Sequence, residues 1–298
     1  MSEARDGHGP PRAILIATDL SARCDRALDR AVMLAEEWQA TLVVLHVIEN
    51  EAAVEAMLDG DPKRSARDPM ALARRQLVRD VGEKIDAATL AIEHGRPADA
   101  IIRVAEREGC GLIVLGIARD ELFGRYSLGT TVDRLLRGAP APLLVVKERP
   151  RRRYGQIAVA TDFSESSRLA FDAVRRLFPD RRPTLLHAYE PLMESLAPDL
   201  SSYRREARSA AIADAMAFAA GSATPPGGTP PDVFVEQGDP VSVLHDYVAD
   251  GNADLVALGS HGRSAIYEIF LGSTAKRVLD RLPCDALIIR EPRAAVER

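Results

Sequence analysis

The sequence has few of the residues that build a disulfide framework or a structural metal site. Its 298 residues include three cysteines, Cys24, Cys110 and Cys284, and no two of them form a CxxC pair. The pattern therefore supports neither a disulfide scaffold nor a structural zinc site. We expect small, buried and reduced side chains at these positions.

Long apolar runs and a strong excess of positive charge are also missing. No apolar run approaches the ~20 residues of a membrane span, and the segment MSEARDGHGPPR lacks the apolar core of a signal peptide. We therefore expect a cytoplasmic protein that does not bind membranes. The net charge of −5 gives no overall attraction for nucleic acid. The basic stretch KERPRRR is interpreted as a solvated linker, with a phosphate-binding patch as the alternative.

The chain is instead marked by an internal duplication. AILIATDLS returns as QIAVATDFS, EHGRPADAI returns as EQGDPVSVL, and CGLIVLG returns as ADLVALG. The matching residues keep one spacing: Asp19 and Asp162, like Gly129 and Gly272, lie 143 positions apart. A constant spacing over so many landmarks indicates that one domain has been duplicated. We predict two tandem domains, residues 1–150 and 151–298.

Each copy alternates short apolar runs with segments of helical period. Consecutive β-branched and apolar residues are typical of strands that are buried on both faces of a sheet. In the second copy they predict five strands, at 157–161, 184–189, 232–236, 254–259 and 286–290. Strand–helix alternation favours parallel strands joined by right-handed crossovers. The predicted fold is therefore α/β, with an open five-stranded parallel sheet between helices in each domain.

One glycine-rich stretch, LGSHGRSAIYEIFLGSTAKRVL, carries the main functional signal. Gly259 ends the predicted fourth strand, and Gly272 precedes a predicted helix that opens with Ser273 and Thr274. Glycine allows backbone N–H groups to approach an anion closely, and a helix N-terminus favours phosphate. The stretch thus predicts a polyphosphate cradle. It is neither a P-loop nor a dinucleotide fingerprint, since GxxxxGK[ST] is absent and no GxGxxG follows the first strand of either copy.

The spacing of GSHG, nine residues and GST resembles the nucleotide loop of the universal stress protein family, G-x2-G-x9-G-[ST]. The segments ATDFS, LLHA and PCDALIIR are also similar to that family, and the resemblance covers nearly the whole chain as two tandem domains. It implies a Rossmann-like fold of the adenine nucleotide α-hydrolase type. It also implies a stress-response or regulatory protein that binds ATP with Mg²⁺ or Mn²⁺.

The resemblance assigns the adenine and ribose to the end of the first strand and to a backbone group after His187. It assigns the ribose and phosphates to the glycine loop. The implied site residues are Ala160, Thr161, Asp162, Ala188, Gly259, His261, Gly262, Arg263, Gly272, Ser273 and Thr274. His261 is interpreted as a loop residue near phosphate, and His46 and His187 as strand-end residues packed under the next loop.

The first copy departs from this pattern. It keeps Gly116 and Gly129, but Arg119 stands where the second copy has Gly262. A side chain at this position would crowd the phosphate path. We therefore expect one ATP site per chain, in the second domain, and a first domain that keeps the fold with a degenerate loop.

Two other classes of function are alternatives to this interpretation. An ATP pyrophosphatase would need an SGGxDS-like loop after the first strand, and TDFSESS lacks its glycines. A nucleotide-free interaction protein, or one that binds a hydrophobic ligand between helices, is the second alternative. No nucleophile–base pair, dense carboxylate cluster or loop lysine is present, so no catalytic residue is predicted and slow ATP hydrolysis is the most that we expect.

The closing strands PLLVVK and DALIIR are expected to lie at sheet edges, which favour pairing. In the family such edges form dimers, so the resemblance implies an intrachain pseudo-dimer of the two domains. Further pairing of two chains into a homodimer stays open.

Overall fold

A computed structural model describes residues 9–21, 24–49, 69–81, 88–119, 126–127, 129–191, 199–222, 229–260 and 272–290. These residues divide into two compact units. The first unit contains residues 11–118 and 129–153. The second contains residues 154–290, together with residues 9–10, 119 and 126–127.

The first unit is a parallel sheet with helices between its strands. Its strand order is β7-β4-β1-β2-β3, and all four pairings are parallel. A short two-stranded ladder, β5 with β6, follows β4 in the chain. From residue 13 to residue 146 the elements are, in chain order, β1 (Ala13–Thr18), α1 (Asp25–Trp38), β2 (Thr41–Ile48), α2 (Pro69–Val81), β3 (Thr89–His94), α3 (Pro97–Arg107), β4 (Ile113–Gly116), β5 (Ala118–Arg119), β6 (Tyr126–Ser127), α4 (Thr130–Gly138) and β7 (Leu143–Val146). Of these, Arg119 and β6 belong to the second unit.

The second unit repeats this topology with the strand order β10-β9-β8-β11-β12, again with parallel pairings throughout. Its elements are β8 (Ile157–Ala160), α5 (Glu165–Leu177), β9 (Thr184–Tyr189), α6 (Leu200–Ala220), β10 (Asp232–Gln237), α7 (Pro240–Ala249), β11 (Leu255–Gly259), α8 (Ser273–Arg281) and β12 (Asp285–Ile289). The α/β fold with a five-stranded parallel sheet in each half is therefore confirmed.

The strand order places a topological switch point between β8 and β11. The chain moves outward from β8 to β9 and β10, and then returns to the other side of β8 for β11 and β12. In open parallel sheets, ligands bind at the carboxyl ends of the strands beside this point. The fold therefore brings together the residue after β8, the end of β9 and the end of β11.

Burial explains why these segments become strands and amphipathic helices. Every residue of β12 is buried, and in β11 every residue before the final glycine is buried, as expected for strands covered on both faces. In α5 the fully buried residues Ala170, Phe171 and Val174 recur at helical spacing on one face. None of the helices in the described part of the chain is both long and apolar enough to cross a membrane.

A buried polar contact fixes the start of the second unit. Tyr154 and Asp285 are each 1% exposed, and the Tyr154 hydroxyl donates a hydrogen bond to the Asp285 carboxylate. The Tyr154 ring packs edge-on against Phe178, and the Arg181 Nε donates to the Tyr154 carbonyl oxygen at 2.7 Å. The first residue of β12 is thus tied to the chain that leads into β8.

We expect Tyr154→Phe to lower the free energy of unfolding of the second unit. The variant keeps the packed ring but removes a donor from a buried carboxylate, which costs about 1–3 kcal/mol. Urea unfolding followed by circular dichroism measures the change. Tyr247→Phe is the control, because Tyr247 packs its ring against Phe234 at 4.7 Å and is half-buried. Equal stability of the two variants would show that the Tyr154 hydroxyl contributes little.

Candidate functional site

The turn after β8 is held by a compact set of hydrogen bonds. The Thr161 Oγ1 accepts from the Phe163 N–H at 2.9 Å, and the Asp162 carboxylate accepts from the Ser164 N–H at 3.1 Å. The Ser167 hydroxyl donates to the Ser164 carbonyl oxygen at 2.8 Å, so the Thr161 hydroxyl donates to Ser167 Oγ at 2.9 Å. Ser164 also caps α5 by accepting from the Ser167 N–H. The Asp162 carboxylate is therefore positioned on a firmly built turn.

Phe163 adopts a left-handed backbone conformation, with φ of 62°. This conformation costs a bulky residue about 1–3 kcal/mol. Its ring lies 4.2 Å from the His187 ring and 5.6 Å from the Phe218 ring, so aromatic packing helps to offset the strain. His187 Nδ1 lies 2.8 Å from the Thr161 carbonyl oxygen. A carbonyl can only accept, so Nδ1 carries a proton.

His187 thus acts as the packed strand-end residue that the sequence predicts. It holds the end of β9 against the turn after β8. Ala188, the next residue, is half-buried and lies on β9 beside this turn.

The first unit contains the same turn. The Leu20 N–H donates to Thr18 Oγ1 at 3.0 Å, Leu20 has φ of 60°, and His46 Nδ1 donates to the Thr18 carbonyl oxygen at 2.9 Å. Asp19 accepts from the Ser21 N–H at 2.9 Å. The repeated aspartate therefore has a structural role in both units.

The pKa of Asp19 reflects its hydrogen bonds. Partial burial would raise this pKa, but the Ser21 hydroxyl and N–H and the Cys24 thiol donate to the carboxylate and hold it below the ordinary value. Burial raises the pKa of Cys24 itself to about 11, so the thiol stays protonated at neutral pH. Cys110 and Cys284 are buried as expected, whereas Cys24 is only half-buried.

Gly259 lies where β11 meets the first turn of α5. A Cβ atom at this position would lie 2.6 Å from the backbone carbonyl carbon and oxygen of Ser166, and would also overlap the Ser166 hydroxyl. Real Cβ atoms do not approach backbone so closely, so only glycine lets α5 pack on β11 in this way. The sequence assigns Gly259 to phosphate approach. The structure supplies a packing reason that sequence reasoning missed.

The two ends of the glycine loop lie together. The Gly272 N–H donates to the Ser260 carbonyl oxygen at 2.9 Å, and the Ser260 N–H donates to the Ile289 carbonyl oxygen at 2.8 Å. Helix α8 therefore begins directly beside the end of β11. Gly272 is its N-cap residue and supplies no side-chain cap, and Thr274 in the first turn is exposed. The first N–H groups of this helix lack a side-chain acceptor at their N-cap.

The structure describes eight of the eleven predicted site residues. Ala160, Thr161, Asp162, Ala188 and Gly259 lie at the carboxyl edge of three neighbouring strands, β9, β8 and β11. Gly272, Thr274 and the backbone of Ser273 lie at the start of α8. His261, Gly262 and Arg263 fall outside the described residues. Within the described ranges, no group of three or more His, Cys, Asp or Glu side chains could hold a metal ion.

An ion pair at the carboxyl edge of the second unit's sheet was not predicted from the sequence. Arg277 on α8 places Nη2 3.2 Å from both carboxylate oxygens of Asp239, which caps α7 by accepting from the Ser242 N–H at 3.1 Å. Partial burial would raise the pKa of Asp239, but the Ser242 N–H and the Arg277 guanidinium outweigh it and hold the pKa below its usual value. The pair links the start of α7 to the helix that follows the glycine loop.

Comparisons with known proteins agree with the duplication. The model of the Universal stress protein family matches residues 11–147 and again residues 153–290. Universal stress protein E of Escherichia coli K12 is 25% identical over 295 residues, which cover 93% of each chain. The universal stress protein E homolog of Haemophilus influenzae is 24% identical over 299 residues, covering 93% of this chain and 96% of its own.

A solved structure shares the fold. The crystal structure of a universal stress protein from Archaeoglobus fulgidus matches with a TM-score of 0.67 and 19% identity, covering 94% of this chain and 98% of that one. At this identity the likeness concerns the fold alone.

We expect Gly259→Ala to destabilise the second unit even without any ligand. The added methyl group forces β11 and the first turn of α5 apart, and overpacking of this kind costs about 1–3 kcal/mol. Gly155→Ala is the matched control, because its Cβ would meet no atom closer than Asp254 Oδ2 at 3.8 Å. Thermal unfolding of the nucleotide-free proteins compares them. If Gly259→Ala and Gly155→Ala had the same Tm, the proposed packing role of Gly259 would be wrong.

Proposed function

Because the chain belongs to the universal stress protein family, we propose that its second unit binds ATP, with little or no turnover, in a stress-response or regulatory role. The nucleotide would lie at the carboxyl edge of β9, β8 and β11. A cytoplasmic location is part of the same proposal. The two tandem family domains fit an intrachain pseudo-dimer.

The hydrogen bond from Gly272 to Ser260 carries this proposal. It closes the glycine loop at its base, so that α8 starts beside the switch point of the sheet. Backbone N–H groups and the helix dipole at such a position attract phosphate, and no side-chain cap at Gly272 competes for them. This part of the site fits the triphosphate of a nucleotide.

The other end of the nucleotide would lie against the turn after β8. The half-buried Asp162 is held by the Ser164 N–H, and its carboxylate can accept hydrogen bonds from ribose hydroxyls. Ala160 and Thr161 precede it, and the backbone of Ala188 on β9 can read the adenine edge. Ser273, Thr274 and the loop residues His261, Gly262 and Arg263 would face the ribose and phosphates.

A divalent cation, Mg²⁺ or Mn²⁺, would accompany the triphosphate and neutralise part of its charge. Such a cation is usually held by phosphate oxygens together with one or two carboxylates and water. In this proposal the phosphate oxygens supply most of its coordination.

We propose that the first unit binds no ATP. It keeps the turn at Asp19, the half-buried Gly116 and the helix start at Gly129, but Arg119 replaces the second glycine of the loop. The nucleotide site would then be asymmetric, with one ATP per chain.

The matched aspartates give a direct test. We expect Asp162→Asn to weaken ATP binding by about tenfold or more, because the amide lacks the charge and acceptor capacity that ribose hydroxyls use. We expect Asp19→Asn to leave the affinity within about twofold. Both aspartates accept an N–H from the residue two positions on, so both substitutions alter the corresponding turn. Isothermal titration calorimetry with ATP and Mg²⁺ measures the affinities.

The stoichiometry tests the asymmetry in the same preparations. Denaturing the purified protein and counting the released adenine nucleotide should give one per chain. Two per chain would contradict the proposed asymmetry, because the first unit would then also hold a nucleotide. No released nucleotide and no binding by calorimetry would overturn the proposed function and leave a nucleotide-free interaction protein.

A further inference from the structure

The duplication places different charges at one pair of corresponding positions. In the second unit the pair is Asp239 and Arg277. At the spacing of 143 residues, the first unit has Arg96 and Arg134 in their places. One carboxylate–guanidinium pair is thus replaced by two guanidinium groups.

The helices that carry the two pairs are arranged in the same way within each unit. Arg96 is the N-cap residue of α3 and is followed by Pro97, as Asp239 is the N-cap residue of α7 and is followed by Pro240. Helix α3 packs against α4, as α7 packs against α8. Because Asp239 and Arg277 approach to 3.2 Å, their counterparts Arg96 and Arg134 stand at positions from which both side chains can reach one small group.

Both arginines of the first unit are exposed, and neither forms an ion pair or side-chain hydrogen bond with another described residue. Asp99 lies in the first turn of α3 but pairs with neither of them. The charge of these two arginines is therefore not balanced within the described part of this unit.

Two other carboxylates near these helices, Asp133 and Glu93, are paired with other arginines. Asp133, the neighbour of Arg134, lies 3.4 Å from the Arg137 guanidinium. Glu93, at the end of β3, lies 2.8 Å from Arg107 and also pairs with Arg103. These carboxylates are therefore engaged by arginines other than Arg96 and Arg134.

We propose that Arg96 and Arg134 together bind a phosphate-bearing anion on the first unit. Two guanidinium groups that share one small region repel each other, and an anion between them removes this repulsion. Guanidinium is planar and donates paired hydrogen bonds to phosphate oxygens. Two such groups can engage more oxygens than a carboxylate offers, so phosphate fits the pair better than a carboxylate does. This site belongs to the first unit, whereas the proposed ATP site belongs to the second.

Binding of inorganic pyrophosphate to the full-length protein tests this site. We expect Arg134→Gln to weaken the first-unit binding by about tenfold or more, because one of the two guanidinium groups is gone. Arg137→Gln is the matched control. It removes the same charge from the same helix, but from a residue already paired with Asp133, and should change the affinity by no more than about twofold.

Arg96→Asp is a second variant, and it should not impair folding. It restores the charge pattern of Asp239 and Arg277, and it places an aspartate at the N-cap of α3, as Asp239 caps α7. We expect an unchanged or raised Tm together with loss of the first-unit contribution to pyrophosphate binding. Pyrophosphate affinity at the wild-type level in both Arg96→Asp and Arg134→Gln would overturn the proposal.

Titration with ADP then identifies the source of the phosphate. The first-unit contribution is the difference between the wild type and Arg96→Asp, because both proteins share the same second unit. If the first unit contributes equally to the binding of pyrophosphate and of ADP, the site is assigned to free polyphosphate. If it contributes more to the binding of ADP, the site is assigned to a nucleotide. Asp162→Asn should leave this difference unchanged, so the failure of either proposal is distinguishable from the failure of the other.

Discussion

The close approach of β11 to the first turn of α5 is the constraint on which the second unit depends. Gly259 has no side chain, so the strand end lies directly against the backbone of Ser166. This contact sets the start of α5, and with it the turn that holds Asp162. The chain leaves β11 at the same point and returns at Gly272, whose N–H bonds to Ser260. The absence of a Cβ atom at Gly259 thus determines how the end of β11 and the turn after β8 lie together in the candidate site.

Comparison of the two units distinguishes the features that belong to the shared fold from those that differ between the copies. The turn with threonine, aspartate and a left-handed residue occurs in both units, and in both a histidine from the second strand secures it. A feature kept in both copies belongs to the fold. The features that differ, Arg119 in place of Gly262 and Arg96 in place of Asp239, lie around the loop and the helix ends. The two units therefore share a scaffold, while the charges on it differ.

Much of the fold could be predicted from the sequence. Consecutive buried apolar residues identified the strands, and the predicted bounds of β12 differ from the observed Asp285–Ile289 by one residue at each end. Two of the contacts that sequence reasoning missed join residues distant in the chain. Tyr154 and Asp285 are 131 positions apart, and Asp239 and Arg277 are 38 apart. No periodicity or local spacing reports such pairs.

The sequence by itself determined the duplication, the alternation of strands and helices and the glycine spacing, because hydrophobic periodicity and backbone preference act over a few neighbouring residues. Only the tertiary structure decided why Gly259 must be a glycine, since that depends on where α5, from another part of the chain, packs against β11. It also decided that Asp239 meets Arg277. Side-chain contacts of this kind arise when strand order brings helices together, and strand order is a property of the folded sheet.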